Sequence, residues 1–220
     1  VGAIMEDIQE KKCDVLVIGA GAAGMRAAIA ASDEGASVCL VSKSLLGKAH
    51  TVMAEGGAAA ALGNADERDN WKVHFRDTIK GGKHLNNWKM AKIHAEQAPE
   101  RILELERWGA VFDRTKDGKI NQRNFGGHRY PRLAHVGDRT GLEIIRTVQD
   151  KVIHQDNIDI FMECTVATII TEDNQAVGAL AYYRNNGEIV AIHAKAIVVA
   201  TGGIGKAYRV TSNSWEYTGD

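Results

Sequence analysis

The sequence predicts an α/β fold: a Rossmann-like dinucleotide-binding domain with an inserted antiparallel β-meander. Three observations predict it. A β-branched run, Asp14-Val15-Leu16-Val17-Ile18, leads directly into Gly19-Ala20-Gly21-Ala22-Ala23-Gly24 and then into an alanine-rich stretch from Met25 to Ser32. A second apolar run, Ser37-Val38-Cys39-Leu40-Val41, follows just after Gly35. Late in the chain a third, Ala196-Ile197-Val198-Val199-Ala200, enters Thr201-Gly202-Gly203. Strand, glycine turn, helix and second strand form the unit that opens a dinucleotide-binding fold.

Each element has its own justification. The apolar runs are short, continuous and β-branched, as strands buried on both faces of a parallel sheet are. Gly35 ends the first helix. Residues 56–63 are small and glycine-rich, suited to close approach of backbone to a ligand. From Asn86 to Trp108, Met90, Ile93, Ala98, Ile102, Leu105 and Trp108 recur mostly at helical spacing, and Pro99 is expected to kink or divide that helix. Thr140 to His154 is a further helix, with Leu142, Ile145, Val148 and Val152 along one side and Asp138 or Thr140 as its N-cap. From Ile160 to His193 the pattern alternates with period two. Turn signals at Glu172-Asp173-Asn174 and Asn185-Asn186-Gly187 divide it into a three-stranded meander.

The bulk properties exclude several classes. A formal net charge of -1 without a basic cluster gives no footprint for nucleic acid. The longest apolar stretch, Val15 to Ala31, is interrupted by glycines and Arg26, so no direct membrane span is expected and any membrane link runs through partners. Three cysteines, Cys13, Cys39 and Cys164, make an odd set with no Cys-x-x-Cys pair, which fits buried filler in a reducing compartment.

The chemistry concentrates in the glycine turns. The first glycine permits the tight turn, the second lets backbone approach a pyrophosphate, and the third lets helix and strand pack closely. At the end of the second strand, where nicotinamide enzymes often place an acid for the ribose hydroxyls, stands Ser42-Lys43. That change, with a second glycine turn at Thr201-Gly202-Gly203 after a meander, favours FAD over NAD. His50 reads by itself as a structural or surface histidine or as a metal ligand, for which it lacks partners at suitable spacing. Two other motifs fail. Asp113-x-Thr115-x-Asp117-Gly118 resembles a calcium loop but has Asn124 where the bidentate Glu is required. Gly203-Ile204-Gly205-Lys206-Ala207 lacks both the first glycine and the Ser/Thr of a phosphate loop.

Several runs together resemble the flavoprotein subunit of succinate dehydrogenase/fumarate reductase (complex II), of actinobacterial type. They are Ser42-Lys43, Gly47-Lys48-Ala49-His50-Thr51, Ala54-Glu55-Gly56-Gly57, Ala61-Leu62-Gly63-Asn64, Asn124 to His135 (opening Asn124-Phe125-Gly126-Gly127-His128), Asp138-Arg139-Thr140-Gly141 and Thr211 to Asp220, of which Asn124 to His135 and Thr211 to Asp220 carry the actinobacterial likeness. The likeness spans Asp14 to Asp220. It implies that residues 1–220 are the first segment of a discontinuous FAD-binding domain, with the meander at about 160–193, and that the capping and C-terminal domains are absent from this chain. It implies FAD bound covalently through His50. It further implies cofactor contacts from Gly19, Ala20, Gly21, Ala22, Ala23, Gly24, Ser42, Lys43, Ser44, Ala49, Thr51, Ala54, Glu55, Gly56, Gly57, Val166, Ala200, Thr201, Gly202 and Asp220. Phe125, Gly57 and His128 would line a dicarboxylate pocket. The implied reaction is succinate oxidation to fumarate by hydride transfer to the flavin. Electrons would pass to an iron–sulfur subunit and to quinone in a membrane anchor, at the cytoplasmic side of the cell membrane. No residue of this chain is assignable as general acid or base, since those of the family lie in the capping domain. Three alternatives stand beside this reading: fumarate reduction as the physiological direction, a soluble L-aspartate oxidase-like flavoenzyme, and a non-catalytic FAD-binding fragment.

Overall fold

The computed structural model describes residues 8–219, so Asp220 lies outside the described residues. In chain order the elements are β1 (Gln9–Ile18), α1 (Ala22–Asp33), β2 (Val38–Val41), β3 (Ala58–Ala59), α2 (Trp71–Gly81), α3 (Trp88–Arg107), β4 (Gln122–Arg123), β5 (Leu133–Ala134), α4 (Thr140–Ile153), β6 (Ile158–Phe161), β7 (Cys164–Glu172), β8 (Gln175–Tyr183) and β9 (Ile189–Val199). They fall into two compact units. The first comprises residues up to Thr51 together with Val148 onward, and the second is Val52–Thr147.

The first unit is built on a six-stranded sheet of order β6-β2-β1-β9-β8-β7. β6, β2, β1 and β9 pair in parallel, while β9, β8 and β7 pair antiparallel. β1 runs into the turn because its apolar residues are buried on both faces. Leu16, Ile18, Cys39 and Val41 join a core with Phe161, Cys164, Ala179, Ala181, Val190 and Ile192. Val17, Val38 and Leu40 are equally buried, as alternation along a strand requires of the opposite face. α1 buries Met25, Ala28 and Ile29 and contacts both β1 and β2. It closes as expected at Gly35, whose φ of 84° and N–H bond to the Ser32 carbonyl, beside Ala36 N–H to Ala31 O, make a Schellman motif. Asn157 Nδ2 satisfies the Ser32 and Ala36 carbonyls, tying the end of α1 to the start of β6.

Two strand expectations change. The apolar pattern separates a third meander strand from a terminal parallel strand, but they are one eleven-residue strand, β9. Its first half pairs with β8 on one edge while almost its whole length pairs with β1 on the other. The sequence hides this because Ala194-Lys195 interrupts the alternation. The run from Ile160 also opens inside β6, parallel to β2, before the antiparallel strands begin.

The second unit holds α2, α3 and the small antiparallel sheet β3-β5-β4. α2 was not expected, although Asn70 caps it by accepting from the Lys72 and Val73 N–H groups. α3 is capped likewise by Asn87 and runs undivided through Pro99, contrary to a break there. Ala91, Ala95, Ala98 and Ile102 bury a continuous stripe on it, and that packing outweighs the local cost of the proline. A core of Ala60, Ala98, Ile102, Ala110, Phe112, Ile120 and Ala134 lies between α3 and the sheet.

A polar network also sits inside this unit. Arg132 is completely buried, and its Nη2 donates to Asp69 Oδ1 and Asp77 Oδ2, each at 2.9 Å. His74 is buried, and its Nδ1 has no partner among the described residues. Its ring lies 5.3 Å from that of His94 and 5.8 Å from that of His128. Burial first, then the Arg132 charge, pushes His74 down to about 4. The unfolded chain therefore takes up a proton on His74 that the folded chain refuses. Its contribution to stability is complete above pH 6.5 and is lost as pH falls from 6.5 toward 4, by about 3 kcal/mol. Arg132, Asp77, His94 and His128 all act on it. Urea unfolding of the protein and of His74→Asn at pH 7.5 and 4.5 checks this: the variant should lose less stability between the two pH values than the parent.

Candidate functional site

The first unit contains a cavity of 720 Å³ at the carboxyl ends of β1, β2 and β9. That is where open α/β sheets bind nucleotides, and the volume is that of a cofactor pocket. Gly19, Ala20, Gly21, Ala22 and Ala23 form one wall, Ser42, Lys43 and Ser44 a second, Ala49, His50 and Thr51 a third, and Ala200, Thr201 and Gly202 a fourth. Val166 lines it from β7. Residues distant in sequence are thus gathered at one place.

The glycine turn is shaped by crowding. Gly19 has φ 108°, and a Cβ there would overlap the Ala200 carbonyl. A Cβ on Gly24 would overlap the Gly19 carbonyl, so Gly24 sits beneath the turn and lets α1 start hard against β1. Gly21 is the N-cap of α1 and provides no side-chain cap, and the first turn has no acid. The helix end therefore points N–H groups and a partial positive charge at the cavity, as a pyrophosphate requires. Thr51 Oγ1 accepts from Ala22 N–H at 3.4 Å, which holds the His50 segment over the turn. Lys43 Nζ is bonded to Thr218 Oγ1 and Lys48 Nζ lies 3.9 Å from Glu216 Oε1, so the last described segment closes toward the same walls.

His50 begins a single 3₁₀ turn, His50–Met53. Its Nδ1 accepts the Ser214 N–H at 3.2 Å, and its ring packs 4.6 Å from that of Tyr217. Tyr217 in turn fills the space over Gly203, where a Cβ would stand 2.6 Å from the phenol oxygen. Cys164 also lines the cavity, and burial pushes its thiol up to about 11, leaving it a neutral, unreactive wall. Among the described residues no group of His, Cys, Asp and Glu could hold a metal, and no helix is long and apolar enough to cross a membrane.

Ala54, Glu55, Gly56, Gly57, Phe125 and His128 belong to the second unit. Arg123 holds the first of these segments, donating to the Glu55, Gly56 and Gly137 carbonyls. Gly57, with φ 121°, runs so close to β5 that a Cβ would come 2.8 Å from the Ala134 carbonyl. Phe125 is 62% exposed, with its ring beside Gly56. His128 turns inward, and burial holds it below the usual histidine range.

The sequence reading missed Ser214, Tyr217 and Cys164 as site residues, and Arg123, Asp77 and Arg132 as supports. For the first two the signal was the polar–aromatic run Ser214-Trp215-Glu216-Tyr217. For the charged supports no spacing rule applies, because their partners come from separate elements.

The fold and this cavity define a dinucleotide-binding flavoprotein unit. The chain belongs to the family described as FAD binding domain, which it matches over residues 14–220. The glycine cradle and the uncapped helix end fit such a cofactor. The structure superposes on the Mycobacterium smegmatis Sdh1 complex with a TM-score of 0.91 at 56% identity, covering 97% of this chain and 38% of that one. The chain is 36% identical over 215 residues to the fumarate reductase flavoprotein subunit of Escherichia coli, covering 97% of this chain and 35% of the relative. It is 37% identical over 223 residues to the succinate dehydrogenase flavoprotein subunit of Rickettsia conorii, covering 97% and 37%. It therefore spans under two fifths of the length of these relatives.

Substitution of Gly19 by alanine tests the cradle. It places a side chain at positive φ against the Ala200 carbonyl, and it should weaken FAD binding at least about tenfold, as read by flavin fluorescence titration.

Proposed function

We propose that this chain is the FAD-bearing part of a succinate dehydrogenase/fumarate reductase flavoprotein subunit, with FAD joined covalently to His50. The observation that carries the reading is the setting of His50 in the cavity wall. Its Nδ1 accepts the Ser214 N–H, so in the neutral ring Nε2 carries the hydrogen that a bond to the flavin carbon would replace. An imidazole substituted at Nε2 keeps its lone pair on Nδ1, so the Ser214 contact suits the substituted ring as well as the free one. Tyr217 limits the tilt of the ring.

FAD, when bound, supplies the two-electron acceptor for the dicarboxylate. The chain's own residues bind and orient. Gly19 to Gly24 and the start of α1 take the pyrophosphate, Ser42, Lys43 and Ser44 the adenosine side, and Ala200, Thr201 and Gly202 a second backbone approach. Ala49, Thr51 and Val166 complete the wall, with Asp220 as a further cofactor contact. In the second unit Ala54, Glu55, Gly56 and Gly57 serve the cofactor, and Phe125, Gly57 and His128 the dicarboxylate. The whole protein would pass electrons to an iron–sulfur subunit and a quinone-binding membrane anchor, lying on the cytoplasmic side of the membrane through those partners.

A tether at the ring's 8α carbon withdraws electron density and raises the flavin potential, which favours oxidation of a weak reductant such as succinate. In the full-length flavoprotein, His50→Ala should bind FAD but release it on denaturation. It should also lose succinate oxidation by about tenfold more than fumarate reduction, the effect of about 30 mV on a two-electron couple. Flavin that stays attached to the denatured variant, or equal loss in both directions, would contradict the proposal.

A further inference from the structure

Between β4 and β5 the chain makes a turn that carries Phe125 at its outer end. Gly126 and Gly127 follow with φ of 59° and 81°, so this turn has little stiffness of its own. Its shape is fixed from the other side. Asp77, on α2, accepts with a single oxygen, Oδ2, from the backbone N–H of Arg129 at 3.0 Å and from Arg132 Nη2 at 2.9 Å. One carboxylate thus staples two points of the same loop to a capped helix. Asp69, just before the Asn70 cap, takes the other contact from Arg132.

The staple is sensitive to charge. Arg132 is fully buried, and its Nε and Nη1 have no partner among the described residues. Asp69 and Asp77 are the carboxylates that meet its charge. His74 and His128 face the same group, and burial holds both below the usual histidine range. Neither imidazole can supply the negative charge of a lost carboxylate. Removing Asp77 leaves a buried guanidinium half compensated and frees the Arg129 N–H at once.

We infer that Asp77 is a positioning residue: it holds the Phe125-Gly126-Gly127-His128 turn in the shape that a dicarboxylate pocket needs. The inference rests on the proposed role of Phe125. It adds that the α2 carboxylate, without touching substrate, sets substrate affinity through the loop. Misplacing a substrate wall by about an ångström costs up to about a hundredfold in turnover efficiency, so the effect is measurable.

The test uses the full-length flavoprotein assembled with its partner subunits, as wild type, Asp77→Asn, Asp77→Ala and Phe125→Leu. KM for succinate, kcat, flavin content and Tm are measured for each. Asp77→Ala should raise KM about tenfold at unchanged flavin per chain, with Asp77→Asn, which keeps an oxygen for the Arg129 N–H, falling between. Should the alanine variant fail to fold, the near-isosteric Asp77→Asn carries the measurement. A wild-type KM in the Asp77 variants, with only Tm or yield reduced, makes the residue a brace and overturns the inference. If that occurs while Phe125→Leu raises KM, the inference fails alone. If Phe125→Leu also leaves KM unchanged, the inference falls together with the pocket assignment on which it rests.

Discussion

The site depends on one steric constraint: the carbonyl of Gly19 occupies the place where residue 24 would carry a Cβ. Because residue 24 is glycine, α1 can begin directly against the end of β1. Because residue 19 is glycine, the turn between them can adopt φ 108° under the Ala200 carbonyl. Those two conditions aim the N-terminus of α1 into the cavity, and a helix end whose N-cap is a glycine offers backbone N–H groups to an anion there. The neighbouring strands serve that arrangement. The parallel pairing of β9 with β1 brings Ala200 to the turn, and the pairing of β2 with β1 brings Ser42 and Lys43 to its other side.

The parts of this arrangement that come from local rules were legible in the sequence. Gly19, Gly21 and Gly24 could be read by spacing because the strand, turn and helix are contiguous. Gly35 could be read as a helix stop because a left-handed residue after a helix is nearly always glycine. The parallel sheet followed from continuous apolar runs whose residues, Leu16 and Val17 among them, are buried on both faces.

The rest depends on partners that no periodicity encodes. β9 was read as two strands because Ala194-Lys195 interrupts the pattern, yet its two edges serve different neighbours along one continuous backbone. Pro99 suggested a break in a helix that a buried alanine stripe keeps whole. Nothing in its spacing sets Arg132 apart from Arg129. Its complete burial appears only when Asp69 and Asp77 are brought to it from another element. The setting of His50 is of the same kind: its place in the chain came from a resemblance, but the contact that engages its Nδ1 comes from Ser214, far along the sequence.

The proposal that the cavity holds FAD joined to His50 makes a direct demand on the polypeptide. Mass spectrometry of the tryptic peptide 49–68 from the full-length, denatured flavoprotein tests it most directly. The expected result is a peptide heavier by one flavin adenine dinucleotide, with fragment ions placing the added mass on His50. A peptide of unmodified mass, with flavin recovered free in solution, would contradict the tether while leaving the nucleotide cradle intact.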